Sequence, residues 1–199
     1  PYTTVVATSQ WLADIAKKQF KHTDVRVIPP GIDSQFVVKK RMHCLADLNL
    51  EPYWHWQGRI PFSKIKNTDH MYTLGCLYHH SQSKNLIEFM AAAKALHKRT
   101  KGNVRVLFLS AKAVDKKVFA KVNYPYYVYV NPPQDKIPLI YYLSTVWVAP
   151  SILEGFGLCP LEAMACGTPT VIRQSLGLDE YLMSNHNCLL TNNSIERSN

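Results

Sequence analysis

The chain has 199 residues, 47% of them hydrophobic and 19% charged, a composition that supports a packed core and excludes collagen-like, coiled-coil and low-complexity classes. Lys and Arg number 23 against 14 Asp and Glu, a formal net charge of +9. The excess is uneven: residues 1–122 carry 20 basic against 8 acidic side chains, and residues 123–199 carry 3 against 6. The basic part either meets an anionic partner (phosphate, nucleic acid or a membrane surface) or solvates helix faces.

In chain order, residues 4–7 read as a buried strand, and Ser9 caps a helix that runs to Phe20 with Trp11, Leu12 and Ile15 on one face. Residues 25–28 form a second strand that ends in the turn Pro29-Pro30-Gly31. Residues 34–70 lack a clean period and read as a long connection with one short helix near 43–49. A regular alternation follows: strand 71–75, helix 83–100, strand 104–109, helix 114–122, strand 126–130, a helix capped by Asp135 and ending at Leu143, strand 146–149, helix 160–165, strand 170–172, a short helix 179–183, and a last strand at Leu189-Leu190. Alternating strands and helices imply right-handed crossovers, and continuous apolar strands imply a sheet buried on both faces. The expected class is therefore α/β, a Rossmann-like parallel sheet with helices on both faces. Ligands of such sheets bind beyond the carboxyl ends of the strands, where the strand order reverses.

Five cysteines, at 44, 76, 159, 166 and 188, show no C-x-x-C spacing. That argues for a reducing, cytoplasmic compartment and against a disulfide framework or a zinc knuckle. The longest uncharged run, 137–153, is broken by prolines and falls short of the roughly 18 apolar residues of a membrane span. The sequence opens on Pro1 rather than Met and is expected to be trimmed.

The chemistry concentrates between residues 148 and 181. The loop Glu154-Gly155-Phe156-Gly157-Leu158 leads into a helix opening at Pro160 and carrying Glu162. Glycines on either side of Phe156 let the backbone approach a ligand, and the helix N-terminus after them offers unpaired N–H groups to an anion. Glu154 and Glu162 are placed to accept hydrogen bonds from sugar or ribose hydroxyls. The same residues also have plain structural uses: a first-turn carboxylate stabilises a helix by roughly 0.3–1 kcal/mol without any ligand, and Glu154 can brace its loop.

The stretch from Glu154 to Glu162, continuing through Ala163-Met164-Ala165-Cys166-Gly167-Thr168-Pro169-Thr170, resembles the Glu-x7-Glu signature of retaining glycosyltransferases with the GT-B fold, the glycogen-synthase and sucrose-synthase-like group (glycosyltransferases group 1, family 4 type). Val27-Ile28-Pro29-Pro30-Gly31-Ile32-Asp33 resembles the segment joining that fold's two domains, and Thr8-Ser9-Gln10-Trp11-Leu12 the strand-to-helix turn before it. Leu74-Gly75, Lys84-Asn85-Leu86 and residues 176–180 resemble further parts of its C-terminal, donor-binding domain. The resemblance divides the chain into residues 1–35, a strand–helix–strand remnant of the acceptor-side domain with its linker, and residues 36–199, a nucleotide-sugar-binding Rossmann-like domain. By this resemblance Glu154 would contact the donor sugar, and the N–H groups of Gly155, Phe156, Gly157 and Leu158 would line sugar and diphosphate. Glu162 would hold the ribose, Lys84 would neutralise the diphosphate, and Asn131 would face the base. It implies transfer of a hexosyl group from a nucleotide-diphosphate sugar with retention of configuration, without a metal or other cofactor. The acceptor, whether glycan, lipid or protein, stays open.

The sequence departs from the family pattern in three ways. Cys76 stands where the family usually places an Arg, with His79 or His80 as stand-ins for that cation. Cys76 with His79 and His80 is a weak metal set because it lacks a fourth ligand. The acceptor-side domain is reduced to its last strand–helix–strand, and the closing C-terminal helix is missing, so a piece of a longer protein or a form needing a partner is expected. Two other readings stand beside the enzyme: a non-catalytic nucleotide-sugar-binding module, and a basic nucleic-acid or membrane-surface binder. Nucleic acid is disfavoured because no recognised motif gathers the basic residues. Attachment to an anionic membrane surface is compatible with the enzyme.

Overall fold

The computed structural model describes residues 4–37 and 71–191. Strands β1 (Val5–Ala7) and β2 (Val25–Val27) pair in parallel, connected by helix α1 (Gln10–Lys18). Ser9 caps α1 as its sequence position predicts, its Oγ accepting from the Leu12 N–H at 3.3 Å.

The remaining strands are β3 (Tyr72–Leu77), β4 (Val104–Ser110), β5 (Tyr126–Val130), β6 (Val146–Ala149), β7 (Thr170–Arg173) and β8 (Leu189–Thr191). They form one six-stranded sheet in the order β5-β4-β3-β6-β7-β8, every neighbouring pair parallel. Helices α2 (Leu86–Arg99), α3 (Lys116–Phe119), α4 (Ile137–Tyr142) and α5 (Leu158–Ala165) supply crossovers. The α/β, Rossmann-like reading of the sequence holds.

Two of the three core clusters take opposite faces of β3, β4 and β5, whose period of two feeds both, and the third, Ala149, Ile172, Leu178 and Cys188, lies toward β7 and β8. Leu74, Cys76, Val106, Phe108 and Val128 pack with Phe89 of α2 and Phe119 of α3. Leu107, Leu109, Tyr127 and Tyr129 pack on the other face with Ile140 and Tyr141 of α4 and Ala163 of α5. Trp147 anchors this second core, fully buried, its ring 4.6 Å from that of Tyr141 and edge-on. Gly75 lies against it: a Cβ there would overlap Ser144 Oγ and the indole.

Several expected elements differ in detail. Residues 179–181 form a turn and 182–183 are irregular, with no helix, because Leu178 and Tyr181 are tied into loop contacts of their own. Asp135 caps no helix; it sits in a 3-10 turn (Gln134–Lys136) that leads into α4, where Pro138 fits an early helical position that needs no N–H. Helix α3 is four residues long, held by Asp115, whose carboxylate accepts from the Lys117 N–H at 2.9 Å. Helix α5 starts at Leu158, two residues before the expected Pro160, since Gly157 at φ +79° makes the turn. Helix α2 starts at Leu86, after a separate 3-10 turn (Gln82–Lys84) broken off by Asn85 at φ +51°. The helix expected near 43–49 lies outside the described residues.

Candidate functional site

The sheet order places β3 between β4 and β6. The chain runs from β3 outward through β4 and β5, then jumps to β6 and runs outward the other way. The crevice beyond the carboxyl ends of β3 and β6 is therefore the topological switch point. Lys84 and Glu154 meet there.

Lys84 closes the 3-10 turn after β3, and Ser81 caps that turn by accepting from the Ser83 N–H at 3.2 Å. The loop after β6 is stitched to it: the Ile152 N–H donates to the Ser83 carbonyl at 2.7 Å. Two residues further on, Glu154 Oε1 lies 2.6 Å from Lys84 Nζ. Both side chains are largely withdrawn from water, at 21% and 16% exposure, which makes this a charge-assisted contact rather than a solvated surface pair.

A cavity of about 400 Å³ opens around the pair, lined by Thr8 and Pro30 from the N-terminal unit and by Lys84, Glu154, Gly157 and Cys159 among others. Among the described residues the N–H groups of Gly155, Phe156 and Gly157 meet no acceptor. Directly after them stands the N-terminus of α5. Free donors and an aligned helix end favour an anion.

Other contacts hold the loop. The Phe156 side chain is buried, its ring 5.3 Å from that of Tyr181. Tyr181 donates its hydroxyl to the Gly157 carbonyl at 2.6 Å. Gly177 presses on the loop so closely that a Cβ would overlap the carbonyl oxygens of Glu154 and Gly155. Leu158 remains exposed on the lining of the cavity.

Glu162 sits one turn into α5 and is not among the residues lining the cavity. Its Oε2 accepts from the buried Tyr141 hydroxyl at 2.6 Å. Burial raises its carboxyl above the usual 4.5, and the Tyr141 hydrogen bond opposes that shift without cancelling it. Asn131 is exposed at the end of edge strand β5, at φ +47°, its N–H donating to the Ser110 carbonyl at 2.6 Å. It too lies outside the cavity lining. The structure thus gathers Lys84, Glu154 and the 155–158 loop around the cavity, places Glu162 behind it, near enough to act on the cavity-lining Cys159, and leaves Asn131 at the end of β5.

The proposed stand-ins for the missing Arg do not reach the cavity. Cys76 points into the core beside Phe108, and burial, then nearby Cys159, pushes its thiol far up. His79 accepts from the Ser81 N–H at 3.0 Å, and His80 Nε2 lies 3.2 Å from the Ala113 carbonyl. Neither lines the cavity. With Cys76 buried and both histidines exposed, the three do not converge, and among the described residues no group of three His, Cys, Asp or Glu side chains is placed to hold a metal. Cys159 lines the cavity, but burial and the Glu162 carboxylate raise its thiol to about 11, so it stays protonated near neutrality.

Tyr181, Gly177, Tyr141 and Cys159 belong to the surroundings of the site, and sequence reasoning gave them no role. Gly177 was the most accessible of them, as a lone glycine two residues before a carboxylate pair in an otherwise apolar loop. A larger cavity of about 630 Å³ lies elsewhere, between α2 and strands β3, β6 and β7. Its walls are apolar apart from Thr191 and the Glu88–Arg173 ion pair (2.5 Å), and none of the site residues reaches it.

No helix among the described residues is long and apolar enough to cross a membrane. The family model for glycosyl transferases group 1 matches residues 68–197. A 50-residue stretch is 44% identical to the O-antigen chain mannosyltransferase B of Escherichia coli, covering 25% of this chain and 13% of that protein. The fold superposes on sucrose-phosphate synthase from Thermosynechococcus elongatus with a TM-score of 0.71 at 19% identity, over 94% of this chain and 44% of that one. It also superposes on Anabaena HepE, solved in complex with UDP and glucose, with a TM-score of 0.62 at 17% identity, over 95% of this chain and 49% of that one. The chain therefore spans less than half the length of these solved relatives.

Proposed function

Since the chain belongs to the glycosyl transferases group 1 family, we propose that it is the donor-binding part of a glycosyltransferase that takes a nucleotide-diphosphate sugar and transfers its hexosyl group with retention of configuration. The observation that carries this reading is the Lys84–Glu154 pair, set in a cavity beside a glycine loop with free N–H groups and a helix N-terminus. The UDP and glucose bound to HepE, a protein of the same fold, support it.

In this reading the diphosphate lies against Lys84 and the N–H groups of residues 155–158, and Glu154 contacts the sugar hydroxyls. Glu162 and Asn131 are assigned to the ribose and the base; Glu162 then leaves its contact with Tyr141 or shares it. The acceptor oxygen bonds to the anomeric carbon on the face from which the diphosphate departs. The anomeric carbon–oxygen bond breaks, its electrons go to the diphosphate, and the acceptor proton passes to a diphosphate oxygen. Charge grows on the leaving group in the transition state, where Lys84 and the loop N–H groups stabilise it with no reorganisation. No metal is needed for that step. The acceptor is a glycan, a lipid or a protein, met in the cytoplasm or at an anionic membrane surface.

Calorimetric titration of the folded chain with nucleoside diphosphates and their sugars tests the reading. Binding that weakens when Lys84 is replaced supports it; no heat with any of them sinks it. One observation favours the second reading, a nucleotide-sugar-binding module without transfer: Lys84 is the one cation among the described residues lining the cavity, and Cys76, where the family usually places an Arg, is buried in the core. Product sugar whose formation depends on Glu154 rejects that module.

A further inference from the structure

The N-terminal β1–α1–β2 unit supplies one wall of the cavity, through Thr8 and Pro30. Among the described residues its sheet pairs β1 with β2 and shares no strand with the six-stranded sheet, so its contacts with the larger sheet's loops set where it sits.

The first N–H groups of α1 have no partners within the helix. Ser9 serves Leu12. The Gln10 N–H, at the first helical position, donates to Glu180 Oε1 at 2.5 Å, across 170 residues of sequence. A carboxylate suits this place because it accepts a charge-assisted bond and meets the positive end of a nine-residue helix.

Glu180 belongs to the turn at 176–181, and the same turn grips the glycine loop at successive points. Gly177 lies on the carbonyls of Glu154 and Gly155, Leu178 fills the space a Cβ on Gly157 would need, and Tyr181 donates to the Gly157 carbonyl. On its other side Gly155 faces Leu12 of α1 across a separation that would leave an added Cβ 3.3 Å from Leu12 Cδ1. The turn is thus a bracket with the glycine loop on one arm and the start of α1 on the other.

We propose that Glu180 is a positioning residue: it clasps α1 to the 176–181 bracket and so holds Thr8 and Pro30 in register with the Lys84–Glu154 pair. Its role is to set the cavity wall rather than to touch a ligand. Only the consequence for nucleotide affinity rests on the function proposed above.

Amide exchange by NMR on the 199-residue chain tests the clasp without a ligand. Glu180→Ala raises the Gln10 exchange rate about tenfold, the loss expected for one hydrogen bond to a charged acceptor, and leaves amides of β3 and β6 unchanged. Glu180→Gln keeps most of the protection, because its carboxamide oxygen accepts the same bond. Glu180→Asp, one methylene shorter, behaves like Glu180→Ala. Titration with uridine diphosphate then reads the wall: Glu180→Ala weakens binding several-fold and Glu180→Gln stays within about twofold. Gln10 exchange that is indifferent to Glu180→Ala overturns the clasp. A lost clasp with unchanged uridine diphosphate affinity overturns its role in setting the wall. If the unsubstituted chain binds no uridine diphosphate, the donor reading is what fails, and the exchange series alone decides the clasp.

Discussion

Glu154→Gln should tighten the binding of a nucleoside diphosphate while it abolishes sugar transfer. In the ligand-free chain the Glu154 carboxylate holds the one ammonium available in the cavity, at 2.6 Å. A diphosphate bound at Lys84 must displace that carboxylate and then lie beside its negative charge. Exposed ion pairs contribute about 0.2–1 kcal/mol, and breaking fully buried ones costs about 3–5 kcal/mol. At 21% and 16% exposure this pair falls between those limits, so the competition is worth about 1–2 kcal/mol, or roughly 5–30-fold in affinity. The carboxamide keeps the shape and can still accept a hydrogen bond from Lys84, but carries no charge. Calorimetry with uridine diphosphate measures the affinity, and release of free sugar or transfer from the matching nucleotide sugar measures turnover. Unchanged or weaker binding by Glu154→Gln refutes the idea that the carboxylate and the diphosphate compete for Lys84.

Three further outcomes follow from the same geometry. Lys84→Met should act in the opposite direction, weakening uridine diphosphate by about 10–100-fold through loss of a charged phosphate contact; equal affinity by calorimetry places the phosphate elsewhere. Gly177→Ala forces a Cβ against two backbone carbonyls that cannot swing aside, so it should cost about 1–3 kcal/mol, or about 2–4 °C in Tm for each kcal/mol, and move Glu154 off Lys84; an unchanged Tm contradicts the close packing. Burial raises the Glu162 carboxyl above 4.5, so the folded chain keeps that proton to higher pH than the unfolded chain does. The associated stability is present below the usual carboxylate value and is lost as pH rises through the raised one. Glu162→Gln does not titrate there, and its Tm relative to the unsubstituted chain should therefore rise as the pH is raised above the usual carboxylate value; a flat difference contradicts the shift.

The layers of this fold were legible because strands buried on both faces have no polar alternation to hide behind. Val104–Ser110 is buried at every position, and its apolar run, interrupted by Arg105, announced that in the sequence; the buried Arg105 donates to Thr73 Oγ1 at 2.7 Å. Helix boundaries were less legible where backbone geometry, rather than periodicity, sets them. Gly157 and Asn85 both adopt left-handed φ, and each moves a helix start by two or three residues without disturbing the apolar pattern. Lys84 and Glu154 could be picked out singly from their motifs, yet nothing in either segment says that they form an ion pair, since the pairing is made by the β3–β6 adjacency. Cys76 shows the reverse case. Its motif position suggested a phosphate-facing residue, but the alternation along β3 turns its small apolar side chain inward beside Phe108.

The jump in strand order also has a consequence for how the chain is made. Lys84 and Glu154 are 70 residues apart, and they come together only when the β3-β4-β5 half closes against the β6-β7-β8 half along a single seam. That closure is a long-range event, of the kind that slows folding because loop entropy is lost before contacts compensate it. A ligand bridging both sides of the seam would stabilise this step by mass action. On the function proposed above, a nucleotide would be such a ligand, and it would bind only those molecules in which both halves have joined.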